Sequence, residues 1–312
     1  VDNLQKMDTQ REFAKTAAAL EASRAMLAGA PPTALRGALA AMWAEEIWTS
    51  TRLAGSPLER AESDAIVRND RALGGHQLDA YLRVADYARA TRFVREAPST
   101  TRRRGYLAAD EPIALHTIAT RRTGSRPGGL RETTLPAFPG GMVPSPAWLI
   151  PQALTALVER TRLGPPPGTS ALAWIADTHA RYERIHPFAD ANGRVGRLLV
   201  NLLLQRCGYV PFVVRPRDAT GYLRALRAAD ARSPWPLAIV IARSLAQSYA
   251  SLTAALLEGS EAKPLSALAS GARREALYKA AQRGRLRTFR RGGRLMTTPS
   301  WIEQYDARTA RP

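Results

Sequence analysis

Apolar residues recur at helical spacing along most of the chain, and almost no stretch alternates with a period of two. This pattern predicts an all-α protein. Residues 1 to about 30 form an amphipathic helix that stops at Pro31-Pro32, and residues 34–55 form a second helix. Residues 57–120 continue helical, with breaks at Gly74-Gly75 and at 99–105. After a helix over 152–162 comes a clearer pattern, in which Leu172, Ile175, His179 and Tyr182 share one face of residues 169–185. Pro187 disfavours the α conformation at His186 and ends that helix. The apolar run Leu198, Leu199, Val200, Leu202, Leu203 and Leu204 then predicts a buried helix, and two more helices cover 222–231 and 236–255.

The pattern changes after a polar linker at 257–264. A short helix over 264–269, a helix over 274–283, two short strands within 286–297 around Arg291-Gly292-Gly293 and a closing helix over 300–307 are predicted there. The chain therefore divides into N-terminal helices at 1–56, a core at 57–257 and a small module at 258–312. At 312 residues and 45% hydrophobic content it is long and apolar enough for a globular core. No run of eighteen apolar residues occurs, so no membrane partner is expected, and the stretch VDNLQKMDTQ has no secretory core. The expected location is cytoplasmic. Cys207 is the only cysteine, which excludes an internal disulfide and any multi-cysteine metal site.

Net charge is +18, and it is unevenly placed: residues 261–312 hold twelve Lys/Arg against four Asp/Glu. Arginine dominates this charge, which a GC-rich genome also favours, but the clustering is a separate signal.

Candidate chemistry is concentrated in residues 186–197, His-Pro-Phe-Ala-Asp-Ala-Asn-Gly-Arg-Val-Gly-Arg. His186 offers a proton acceptor and Asp190 a carboxylate. Asn192 and Gly193 form a turn at the start of the apolar helix, where free backbone N–H groups and the positive dipole end favour phosphate. Arg194 and Arg197 are three apart on its first turn and can face one anion. Phe188 reads as a core anchor for the loop. A histidine at an apolar helix end is more often structural than catalytic; the adjoining carboxylate and phosphate-binding turn favour catalysis. His116 and His179 lie on apolar faces and read as core groups, and His76 as loop surface.

The stretch resembles the Fic (Fic/Doc) signature, His-x-Phe-x-Asp/Glu-Ala/Gly-Asn-Gly/Lys-Arg-x-x-Arg, at every defined position. A chance match in a chain this long is below about one in a million. The resemblance implies a Fic-fold helical bundle with a short β-hairpin flap, and a protein adenylyltransferase that moves AMP from ATP to a Ser, Thr or Tyr hydroxyl of a target protein or of itself. His186 would be the general base and Asp190 the Mg²⁺ ligand. Asn192 and Gly193 would cradle phosphate oxygens, and Arg194 and Arg197 would neutralise the β and γ groups. The alternatives are transfer of another nucleotide or of phosphocholine, removal of AMP, or a DNA-associated regulator.

Two further stretches extend the resemblance. Residues 128–151 are rich in Gly and Pro around Thr133, Thr134 and Leu135, and stand where the family has its target-docking flap; read alone they favour a surface loop. Residues 50–55 align with the family's inhibitory pattern Ser/Thr-x-x-x-Glu-Gly/Asn. Ser50 and Gly55 fit, but Ala54 stands where the family places a glutamate against the second motif arginine. That substitution implies release from autoinhibition. The module at 258–312 resembles a small winged helix-turn-helix appended to some bacterial Fic proteins. Arg283, Arg285, Arg287, Arg290, Arg291 and Arg294 would suit phosphate contacts with DNA. A docking or dimerisation module fits those residues equally, and homo-oligomerisation is left open.

Overall fold

The computed structural model describes residues 2–27, 32–97, 106–124, 126–138, 142–230, 233–258, 262–283, 285–286, 288–291 and 294–309. The expectations for 99–105, for Arg287 and for the Gly292-Gly293 turn lie outside the described residues. In chain order the first ten helices are α1 (Asp2–Met26), α2 (Pro32–Leu53), α3 (Arg60–Asn69), α4 (Leu78–Glu96), α5 (Glu111–Ala119), α6 (Ile150–Arg162), α7 (Ala171–Ile185), α8 (Asn192–Arg206), α9 (Ala219–Asp230) and α10 (Trp235–Glu258). They are followed by β1 (Lys263–Pro264), α11 (Leu265–Leu268), α12 (Gly271–Gln282), β2 (Phe289–Arg291), β3 (Arg294–Thr297) and α13 (Pro299–Thr309). The mostly helical class expected from the spacing is the class observed.

Two compact units divide the chain, one holding residues 1–17 and 41–245, the other 18–40 and 246–312. The C-terminal half of α2 therefore belongs to the same unit as α3–α9. The sequence-based boundary at 56/57 separates residues that pack within one unit.

In the first unit α8 is central. Val195, Leu198, Leu199, Val200, Leu202, Leu203 and Leu204 are all buried, as a helix apolar on all sides requires. It packs against α4, α5 and α7, and α7 also meets α6 and α9. Close approach of α7 and α8 depends on Gly196, where a Cβ would stand 2.3 Å from Glu183 Oε1 and 3.0 Å from His179 Cε1. Both are side-chain groups of α7, so alanine at 196 would require Glu183 and His179 to shift.

The flap differs from its expectation. Thr133, Thr134 and Leu135 form no strand; among the described residues the loop's backbone pairing includes an isolated antiparallel bridge between Leu130 and Phe188, a Phe138 N–H bond to the Met142 carbonyl (2.8 Å) and a Ser145 N–H bond to the Arg184 carbonyl (2.9 Å). Pro136, Pro139, Pro144 and Pro146 lack the N–H that a ladder needs.

In the second unit β1, β3 and β2 form an antiparallel sheet in that order, with Lys263 opposite Thr297 and Phe289 opposite Met296. Leu265, Leu277, Ala280, Leu286 and Ile302 close a small core of their own.

Candidate active site

The last turn of α7 ends in His186, whose backbone is left-handed (φ 46°, ψ 62°). Pro187 excludes the right-handed alternative, and a strained non-glycine residue of this kind is a recurrent property of functional sites. The His186 N–H still reaches the Tyr182 carbonyl at 3.0 Å. Its Nδ1 lies 3.3 Å from the Glu183 carbonyl and 3.9 Å from Glu183 Oε2. An Nδ1–H directed at that carbonyl leaves the Nε2 lone pair available, which is the tautomer a general base needs. Burial, with a smaller contribution from the Arg131 cation, lowers the imidazole pKa to about 4, so the ring is neutral at physiological pH.

The loop after His186 is held from within. Phe188 is fully buried and stacks on His116, with ring centroids 3.7 Å apart. Asn192 Oδ1 accepts the Phe188 N–H (2.9 Å), and its Nδ2 donates to the Phe188 carbonyl (2.7 Å). Both ends of that side chain bond to the loop, and the second Nδ2 N–H and the backbone N–H of Asn192 remain for an anion. Ala191, at φ 64°, turns the chain into α8. Val195 N–H is bonded to the Ala191 carbonyl, so the N–H groups of Asn192, Gly193 and Arg194 are the helix's unpaired first turn.

Charged groups converge on that turn. Asp190 Oδ2 pairs with Arg194 (3.1 Å) and with Arg83 of α4 (3.4 Å). Burial opposes its charge, but the Ala191 N–H and the two guanidinium groups hold its carboxyl below the usual carboxylate range. Arg194 is buried, and its Nη1 has no hydrogen-bond partner. A desolvated, unsatisfied guanidinium nitrogen at a helix N-terminus is a strong anion-binding feature. Arg197, also buried, donates from Nε to Ser50 Oγ (2.6 Å) and from Nη2 to the Ser50 carbonyl (2.9 Å). Ser50 thus meets the second motif arginine.

A cavity of about 350 Å³ brings these groups together, lined by His186, Asp190, Asn192, Gly193, Arg194 and Arg197 and also by Ala54. Leu53, Leu223 and Leu226 give it an apolar side. An adjoining cavity of about 230 Å³ is lined by Gly55, Arg83 and Gln77, and shares Ala54 and Arg194 with the first. Gly55 has φ 89° and ends α2, a conformation that glycine adopts without strain. Thr133, Thr134 and Leu135 do not line either cavity.

Several contributors were not singled out from the sequence. Glu183 lines the larger cavity; burial raises its carboxyl to about 7, and its Oε1 has no partner. Glu46 is buried beneath Ser50 on α2 and bonded to Tyr87 Oη (2.7 Å); burial raises it to about 7 as well. Both carboxyls feel the Arg197 cation. Arg83 and Arg131 lie outside the motif. The one available signal for Glu183 is its place one helical turn before His186.

Residues 106–204 match the Fic/DOC family. Those residues form a Fic/DOC-family domain within the chain. Among its relatives are the protein adenylyltransferases Fic of Drosophila mojavensis, 25% identical over 203 residues (64% of this chain, 39% of that protein), and Drosophila willistoni, 26% identical over 236 residues (73% and 45%). The chain thus spans less than half the length of these curated relatives. A segment of Fic-1 from C. elegans superposes with TM-score 0.73 at 18% identity, covering 83% of this chain and 76% of that one. A Fic domain-containing signaling protein from Bacteroides thetaiotaomicron gives TM-score 0.66 at 20% identity, covering 78% and 96%. The Fic fold is common to all of them.

Proposed function

We propose that the chain is a protein adenylyltransferase that transfers AMP from ATP to a hydroxyl of a target protein. The observation that carries this reading is the shared cavity of a neutral, acceptor-ready His186 and an Arg194 guanidinium whose Nη1 has no partner, at the start of α8. His186 Nε2 takes the hydroxyl proton, the hydroxyl oxygen attacks the α-phosphorus, and the bond to the pyrophosphate oxygen breaks. Arg194 and the N–H groups of Gly193 and Asn192 neutralise charge on the phosphates, and Arg197 completes the cradle. Leu53, Leu223 and Leu226 offer the base an apolar wall. The names of the relatives support adenylyl rather than another group.

Asp190 suits Mg²⁺: it is ionised, lines the cavity and is 65% exposed at its side chain. Among the described residues no cluster of three or more acidic, histidine or cysteine ligands exists. A magnesium site here would draw its other ligands from substrate phosphate and water, as is usual for this ion. Magnesium would add charge neutralisation at the phosphates.

Incubation with each of four labelled nucleoside triphosphates and a cell lysate tests the reading. Label is expected from α-labelled ATP, on target or on the chain itself; transfer from another nucleotide alone would replace adenylyl with that group. The pH dependence is a second check. With His186 near 4 rather than 6.5, the acid limb of kcat/KM is expected close to pH 4–5. Glu183→Gln removes the other titrating carboxyl of the cavity, so the limb that persists in that variant belongs to the histidine. A limb persisting near 6.5 in Glu183→Gln would contradict a buried, neutral base.

DNA is the proposed partner of the second unit. The order β1-α11-α12-β2-β3 with β3 between the other strands supports a winged helix arrangement, and Arg274, Lys279, Arg283 and Arg294 are exposed. Arg273, by contrast, pairs with Asp306. The double variant Arg274→Glu, Lys279→Glu is expected to weaken duplex binding and flatten its dependence on salt, by about one counterion per lost phosphate contact. Equal binding by variant and wild type at every salt concentration would favour a docking role instead. Among the described residues no helix is long and apolar enough to cross a membrane.

A further inference from the structure

Arg131 lies in the loop between α5 and α6, outside every motif, and is only 5% exposed. Its guanidinium donates to four backbone carbonyls. Nε donates to His186 O (2.7 Å), Nη1 to Thr133 O (2.7 Å), and Nη2 to Ile185 O (3.3 Å) and to Ser145 O. Two of these carbonyls end α7 and carry the catalytic candidate; the other two lie on the outgoing and returning arms of the flap. Backbone bonds run alongside: Arg131 N–H to Pro187 O (2.9 Å) and Ser145 N–H to Arg184 O (2.9 Å).

The carbonyls at a helix C-terminus have no intrahelical donors and carry the negative end of the dipole. A guanidinium fork supplies several directed donors and a cation at once. Here it caps α7 at the residue where the backbone turns left-handed, and ties that residue to a loop that has no strand ladder of its own. Phe138, farther along the same loop, meets the His186 ring edge-on at 4.7 Å.

We propose that Arg131 is a positioning residue that fixes the flap in register with His186, so that a target segment laid along the flap presents its hydroxyl to Nε2. This rests on reading the loop as the target-docking element of an adenylyltransferase. The guanidinium acts on the reaction only through the two carbonyl pairs it joins. Lysine keeps the charge but concentrates its donors on one atom, so it cannot span four carbonyls.

The full chain carrying Arg131→Lys or Arg131→Gln tests this by hydrogen exchange, by NMR titration of His186, by nucleotide binding and by labelled AMP transfer. Both variants are expected to lose protection at the amides of Arg131 and Ser145 while α8 amides keep theirs. The His186 titration should stay low in Arg131→Lys and move up in Arg131→Gln, because only the second removes the nearby cation. Nucleotide affinity is expected to be unchanged, and kcat for transfer to fall about 10²-fold, the scale of a misplacement near 1 Å. Wild-type flap protection in folded Arg131→Lys would overturn the proposal. So would loss of protection spread evenly through α7 and α8 in both variants, which marks a general stability role. Exchange and titration need no activity, so absence of label on the wild type would remove the adenylyl-transfer reading and leave the clamp to be judged by them.

Discussion

His186→Ala is expected to lower AMP transfer about 10²- to 10⁴-fold, the usual cost of losing a general base. Nucleotide affinity should survive, because the proposed phosphate-binding groups, Arg194, Arg197 and the first turn of α8, are not held by the imidazole. Among the described residues the imidazole's polar contacts are with Glu183, at its carbonyl and its carboxylate. One confounding effect is structural. At φ 46° any residue other than glycine, asparagine or aspartate is strained, so alanine adds its own destabilisation. His186→Asn tolerates that backbone better and is the cleaner comparison. Transfer by His186→Asn within a few-fold of wild type, with Tm unchanged, would remove the histidine from the mechanism.

Ala54→Glu is expected to suppress self-modification about 10- to 100-fold, the range set by a hydrogen bond between charged groups. Ser50 already holds Arg197 by its hydroxyl and its carbonyl, so the end of α2 is anchored one turn from position 54. Ala54 is exposed and lines both cavities beside Arg194, and a longer side chain there extends into open volume. A carboxylate placed there competes with phosphate for the motif guanidinium groups, and the Arg–carboxylate pair can be bidentate. Ala54→Gln matches it in size without the charge and should incorporate label much as wild type does. Equal incorporation by the glutamate and glutamine variants would mean that volume, not charge, governs the site, and the inhibitory alignment would lose its physical basis.

The buried surroundings of Arg197 explain why such a carboxylate has a target at all. Glu46 and Glu183 both sit near the guanidinium, yet burial pushes each carboxyl up to about 7. Neither is a fully ionised partner at neutral pH, so the arginine keeps affinity for an incoming anion.

Local sequence determined a good deal of this protein. Pro187 dictated where α7 stops, the all-apolar run after Arg197 dictated a central buried helix, and the order His, Asp, Arg, Arg placed four groups at one helix N-terminus. These are effects of residues within one or two turns of each other, so periodicity and backbone sterics suffice to read them. The sequence likewise marked Phe188 as an anchor; the structure adds that it is His116, 72 positions earlier, that stacks on it.

What tertiary structure decided are the contacts between distant segments, for which a sequence has no local signal. Folding turned the Asn192 amide onto Phe188, four residues away, where a buried backbone needed partners. Thr133 to Leu135 carried strand propensity, but prolines around them removed the donors of a ladder, and the register passed to one buried guanidinium. Arg131, Arg83, Glu46 and Glu183 are ordinary charged residues in the sequence. They became part of the site only when the fold brought them beside it, since the strength and direction of a charge's effect depend on what surrounds it rather than on its place in the chain.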